Sequence, residues 1–270
     1  MEGRVRGKLQ GLQDVATSRD GIPIAYEVHG NGTPALVFIH GWSCDRNYWD
    51  AQVGPFSRKY QVVTLDLAGH GESGSGRKEW TMASFGEDAA AVVEKLGLER
   101  MVLIGHSMGG DVILEAARRL PGRIEGLVWV DTYRTLPTHP SPEDIEKRIA
   151  PFREDFVSTM RAFVQRMFHA NTDPSLVERV VSDMSSAPTD VAISAVAIAW
   201  NYAREVDALL KELGLPLVAI NPEDPPTDIA SMNRYGVEVV LMPGVNHFPM
   251  MEDPKTFNER LGEVIQRFIS

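Results

Sequence analysis

Four short, nearly continuous apolar runs dominate the first half of the chain: Ala35–Ile39, Gln61–Leu65, Met101–Ile104 and Leu127–Val130, each followed directly by His, Asp or Gly. Runs of this kind suit strands buried on both faces, which points to a mainly parallel sheet. Helical patterns lie between them. Ser84 with Glu87 predicts a capping box, in which each side chain satisfies a free backbone N–H. That helix runs through Ala89, Val92, Val93 and Leu96 and stops at Gly97. The next one places Val112, Ile113, Ala116, Ala117 and Leu120 on one face and ends at Pro121-Gly122. Strand–helix alternation predicts a doubly wound α/β fold.

The alternation breaks after Asp131. From Ser141 to about Leu213 there is no strand pattern. Ile145, Ile149, Phe156, Met160, Phe163 and Met167 recur at helical spacing, and Pro151 is expected to kink the run. Strands return at Leu217–Ile220 and Val237–Leu241, and an amphipathic helix closes the chain over Phe257–Phe268. The expected organisation is an α/β core at residues 1–131 and 203–270, with a helical cap at 132–202 inserted after the strand that ends at Asp131.

Composition narrows the classes. With 270 residues, 43% apolar and 24% charged, the chain is an ordinary globular one, not a disordered or fibrous one. Its net charge of −10 repels phosphate backbones and anionic headgroups, so neither nucleic acid nor a membrane surface is an expected partner. The single cysteine, Cys44, excludes an internal disulfide and a multi-cysteine metal site. Met1 to Gln13 carries Arg4, Arg6 and Lys8 but no apolar core, unlike a signal peptide. Val191–Trp200, the most apolar stretch, is about half the ~20 residues a membrane helix needs. A cytoplasmic protein, monomeric or homodimeric, is expected.

Gly105-His106-Ser107-Met108-Gly109 stands between an apolar strand and an amphipathic helix, the context in which G-x-S-x-G exposes a serine hydroxyl above a sheet. Outside that context the motif is a glycine-rich turn with an incidental serine. His40-Gly41-Trp42 closes the Ala35–Ile39 strand, where a backbone N–H can face the same point as that of Met108. Two such donors hold the negative oxygen of a tetrahedral intermediate, each worth roughly 3–4 kcal/mol. Gly69, Gly71 and Gly74 spell G-x-G-x-x-G, but a polar stretch through Arg77 and Lys78 separates them from the next helix, against a dinucleotide site.

Together with Pro243-Gly244-Val245-Asn246-His247 after the last strand, these segments resemble the α/β-hydrolase fold family, in the order that family uses, from about Gly21 to Phe268. The resemblance implies that Ser107 is a nucleophile and His247 its general base, imidazole being able to take and return a proton near neutral pH. The family usually takes its acid after the penultimate strand, which here offers Asp224 and Asp228, with the G-x-x-D pattern broken. Other members take it from the end of the strand before the cap, where Asp131 lies; Asp131 is preferred, with Asp224 the alternative. Trp42 and Met108 would supply the oxyanion hole. Gly41, Phe163, Met167, Met184, Trp200 and Phe248 are candidates for an apolar pocket, although aromatic and Met residues at helical spacing are more often core.

The implied activity is hydrolysis of a small to medium carboxylic ester through an acyl-enzyme, with no metal and no cofactor. A serine nucleophile argues against dehalogenases and epoxide hydrolases, which need a carboxylate. It leaves carbon–carbon bond hydrolase, lactonase and perhydrolase chemistry open. A ligand receptor or regulatory protein with slow turnover is a further class to test.

Overall fold

The computed structural model describes residues 11–270. Residues 1–10, which carry Arg4, Arg6 and Lys8, lie outside the described residues.

The chain opens with β1 (Leu12–Thr17) and β2 (Pro23–His29), an antiparallel pair that the apolar pattern did not signal. The reason is visible in β1, where Ala16 alone is buried and Leu12 and Val15 are exposed. An edge strand of that kind lacks the buried face that period-two alternation reports. Then follow β3 (Ala35–Ile39), α1 (Asp50–Phe56), β4 (Gln61–Leu65), α2 (Met82–Leu96), β5 (Met101–His106), α3 (Met108–Arg119) and β6 (Ile124–Val130). All five residues of β3 and all six of β5 are buried, which is the origin of their unbroken apolar sequence.

Helix α2 starts earlier than its sequence suggests. Thr81 is the N-cap and forms the capping box with Ser84, while Glu87 faces Arg19 and Arg119 instead.

Between β6 and β7 (Leu217–Pro222) the described chain is helical: α4 (Pro142–Glu154), α5 (Phe156–Gln165), α6 (Pro174–Ser185), α7 (Thr189–Tyr202) and α8 (Val206–Leu213). The run expected to kink at Pro151 is interrupted four residues later. Pro151 stays inside α4, and Asp155 ends that helix and caps α5 by accepting the Ser158 N–H. Helix α8 packs on α3. The chain finishes with α9 (Ile229–Arg234), β8 (Val237–Met242), α10 (Pro249–Glu252) and α11 (Pro254–Ile269).

The eight strands form one sheet in the order β1-β2-β4-β3-β5-β6-β7-β8, parallel from β4 to β8. From β3 the chain goes to β4 on one side and returns to β5 on the other. A reversal of that kind leaves a crevice at the carboxyl ends of the two strands, where open α/β sheets bind ligands. Among the described residues no helix is long and apolar enough to cross a membrane.

Candidate active site

Ser107 occupies the one residue between β5 and α3 and takes φ +51°, ψ −120°, a region that side chains rarely visit. The neighbouring backbone explains the glycines. A Cβ on Gly105 would sit 2.2 Å from the Gly109 carbonyl oxygen, and one on Gly109 would sit 2.5 Å from that of Ile39. Only a turn without those two side chains lets β5 reverse into α3 this tightly against β3. The Ser107 N–H donates to the Val130 carbonyl at 3.0 Å, which ties the elbow to β6.

Register brings the second loop alongside. Ile39 pairs with Gly105 across the parallel β3–β5 ladder, so His40, Gly41 and Trp42 run beside His106, Ser107 and Met108. A Cβ on Gly41 would lie 3.2 Å from that of Ser107. Met108 is the first residue of α3, whose N–H has no partner within the helix. His40 is fully buried and keeps this loop in place: its Nδ1–H donates to Gly41 O at 2.8 Å, and its Nε2 accepts the Leu67 N–H at 3.0 Å. Burial drives its pKa down to about 4, so it stays neutral.

His247 follows β8, and its Nδ1 lies 2.7 Å from Asp131 Oδ2. An ionised carboxylate only accepts, so Nδ1 carries the proton and Nε2 keeps the lone pair. Asp131, directly after β6, is held at φ +45°. Burial pushes its carboxyl pKa up, but hydrogen bonds from His247 and Arg134 outweigh this and hold it below the ordinary value. Asp224 is exposed, the carboxylate bonded to His247 Nδ1 is that of Asp131, and Asp228 caps α9 by accepting the Ser231 N–H at 2.9 Å. The alternative acid is therefore not brought to His247.

Ser107, Asp131 and His247 line a single cavity of about 350 Å³, together with Trp42, Met108, Phe163, Met167 and Trp200. Three pocket candidates are not among its lining residues: Gly41 lies in the loop beside Ser107, and the other two lie elsewhere. Met184 is buried within α6, where its helical spacing marks core. Phe248 is fully buried against Phe168, ring centroids 5.0 Å apart, and edge-on to His247 at 5.1 Å, so it backs the imidazole instead of lining the cavity.

Sequence reasoning missed two residues that organise the site. Arg134 binds both Asp131 oxygens and the Pro225 carbonyl. Glu252 gathers the His247 loop: one carboxylate oxygen accepts the N–H groups of Asn246 and Phe248, and the other those of His169 and the Thr172 hydroxyl. No local pattern marks either, since their partners are set by loop packing.

The remaining motifs have structural work. Gly69–Gly74 is a turn folded over Asp66, which binds Arg46, and the next helix starts only at Met82, unlike a dinucleotide loop. Cys44 is buried and donates to the Trp42 carbonyl at 3.3 Å, and burial raises its thiol pKa, which removes thiolate character. Among the described residues there is no group of three or more His, Cys, Asp or Glu that could hold a metal ion.

A family model for the alpha/beta hydrolase fold matches residues 34–172. A non-heme haloperoxidase from Rhodococcus erythropolis is 36% identical over 152 residues, 54% of this chain and 55% of its own length. A bifunctional esterase/perhydrolase from Acinetobacter calcoaceticus is 37% identical over 107 residues, 39% of each chain. The chain thus spans about half, or less, of the length of these curated relatives. Among solved structures, a thermophilic esterase from Thermogutta terrifontis (malate bound) superposes with a TM-score of 0.82 at 26% identity, over 97% of this chain and 100% of that one.

Proposed function

Since the chain belongs to the α/β-hydrolase fold family, we propose that it is a serine hydrolase cleaving small to medium carboxylic esters through an acyl-enzyme, with the helices between β6 and β7 acting as its cap. One observation carries this reading: His247 holds its Nδ1–H on Asp131 at 2.7 Å, on the wall of the cavity that Ser107 also lines.

With its proton fixed on Nδ1, His247 offers Nε2 to the Ser107 hydroxyl. Ser107 Oγ attacks the ester carbonyl carbon while Nε2 takes its proton. The carbonyl oxygen becomes an oxyanion facing the N–H groups of Trp42 and Met108, which stabilise it. The imidazolium returns the proton to the departing alcohol, and Asp131 stabilises that cation without being protonated. Water, deprotonated by His247, then attacks the acyl-Ser107 carbonyl; the bond to Oγ breaks, the imidazolium returns its proton to Oγ, and the carboxylic acid leaves.

The name of the Acinetobacter relative supports one second reading, perhydrolysis. There hydrogen peroxide takes the place of water in the second step: its O–O–H oxygen bonds to the acyl carbon, Ser107 leaves with the proton, and a peracid forms.

A fluorophosphonate probe followed by peptide mass spectrometry tests the reading, alongside turnover of p-nitrophenyl butyrate. Stoichiometric labelling at Ser107 with multiple turnover is expected, and peracid formed on adding peroxide would bring in the second reading. Labelling without turnover would indicate a ligand receptor. A folded sample that takes no label would overturn the assignment.

A further inference from the structure

Three residues on the cavity wall have no part in the reaction proposed above: Asp111, Thr132 and Tyr133. Asp111 lies one turn into α3 and is 3% exposed. Its single hydrogen bond among the described residues comes from the Tyr133 hydroxyl, 2.7 Å from Oδ1, and no cation pairs with it there. A carboxyl can make about four hydrogen bonds, so most of its capacity is unused. The Thr132 hydroxyl is buried with no partner among the described residues. Around them the lining is mainly apolar, from Trp42, Met108, Phe163, Met167, Val196 and Trp200.

The charge state of Asp111 follows from its surroundings. Burial, only partly offset by the Tyr133 bond, raises its pKa to about 8, so at pH 7 it keeps its proton. Tyr133 is half-buried, and desolvation of its hydroxyl pushes its pKa well above the ordinary value. The other titratable groups nearby are Glu115, one turn along α3 and bound by Tyr202 and Arg119, and Tyr202 from α7. Asp131, His247, Arg134 and Arg148 share the cavity lining.

A buried polar group with spare capacity in an apolar pocket selects the ligand that brings the missing partner, because a ligand without it leaves that group unpaired. We propose that Asp111, flanked by Thr132 and Tyr133, determines specificity by taking substrates that carry a second, neutral oxygen function, a hydroxyl or keto group, besides the scissile ester. The Asp111 carboxyl donates its O–H to that oxygen while its other oxygen accepts from Tyr133. This rests on the serine-hydrolase reading and names the substrate class of the same site.

The test compares kcat/KM for p-nitrophenyl 2-hydroxybutyrate, 3-hydroxybutyrate and 3-oxobutyrate with that for the butyrate. The same comparison on the alcohol side uses hydroxyethyl against propyl butyrate. The wild type is expected to prefer at least one oxygenated ester by about tenfold or more over its alkyl match. Asparagine reproduces the protonated carboxyl, its Oδ1 accepting from Tyr133 and its amide N–H donating to substrate. Asp111→Asn is therefore expected to keep the preference at pH 7 and still hold it at pH 9, where the wild type loses it. Asp111→Leu is expected to lose it at both.

Absence of any preference in the wild type overturns the proposal, whether or not the leucine variant folds. A preference for an ammonium-bearing ester that Asp111→Asn abolishes also overturns it and assigns an ionised Asp111. Ser107→Ala separates the two readings. If it abolishes hydrolysis while the wild type shows no preference, only this inference falls; if hydrolysis survives it, both fall.

Discussion

Arg134 forks the carboxylate of Asp131, its Nε donating to Oδ1 at 3.0 Å and its Nη2 to Oδ2 at 2.9 Å. Oδ2 is also the oxygen that receives the Nδ1–H of His247. One guanidinium therefore sets the plane in which the imidazole is held. It comes from the same turn as Asp131, three residues on, so the end of β6 supplies both the carboxylate that meets His247 and its clamp.

Removing the fork should loosen His247 without removing it. Arg134→Met is expected to lower kcat about tenfold and to cost about 1–3 kcal/mol of stability, the range for charge-assisted hydrogen bonds. A carboxylate whose folded pKa lies below its ordinary 3.8 stabilises the fold above that value, and the contribution is lost as pH falls through the lowered one. The gap in Tm between wild type and variant should thus be full at pH 7 and close below about pH 4. A gap that stays constant to pH 3 would mean that Arg134 stabilises by packing alone.

The conformation of Ser107 carries a cost that glycine would not bear. At φ +51°, ψ −120° a side chain is strained by about 1–3 kcal/mol. Ser107→Gly is expected to be about 1 kcal/mol more stable than Ser107→Ala, with ester hydrolysis reduced by several orders of magnitude in both. Thermal melts of the two variants that coincide would remove the strain argument.

Glu252 is expected to matter to catalysis although it lines no part of the cavity. Each of its oxygens accepts two hydrogen bonds, so Glu252→Gln keeps one accepting oxygen and turns an amide against the other two donors. Stability should fall in the order wild type, Glu252→Gln, Glu252→Ala, with kcat following because the His247 loop loses its anchor. Unchanged kcat in the alanine variant would show that the loop holds itself.

Asp111 makes the fold sensitive to base. Its folded pKa is raised to about 8 from 3.8, so between those values the native state binds a proton that the unfolded chain has released. That contribution is present at low pH and lost as pH rises to about 8. The Tm of Asp111→Asn minus that of wild type should therefore grow from pH 5 to pH 8 and then level off. Parallel curves would place the ordinary carboxyl value on Asp111.

Six strands were legible because each is locally complete: β3 to β8 are apolar runs bounded by turn residues, and both faces of the central ones are covered. β1 and β2 were not, since an exposed edge strand is stabilised by pairing, which leaves no local pattern. The capping box slipped by three residues for a related reason. Thr81–Ser84 and Ser84–Glu87 both satisfy the spacing to some degree, and the contacts of Glu87 with arginines decide between them. Gly69-x-Gly71-x-x-Gly74 met a motif in letters, while its chain folds back over Asp66.

By itself the sequence determined what is written within a few residues: the strand–serine–helix elbow, the loop after β3, the histidine after the last strand, and the class of fold that such alternation requires. The tertiary structure alone decided which acid meets His247, 116 residues away from Asp131 along the chain. It also decided that Arg134 and Glu252 hold the two loops, that Phe248 backs the histidine, and that Asp111 faces the cavity. The physical reason is one of range. Backbone conformation and hydrophobic period are properties of neighbouring residues, whereas these partnerships arise only when the ordering of strands in the sheet brings the ends of β5, β6 and β8 to one rim.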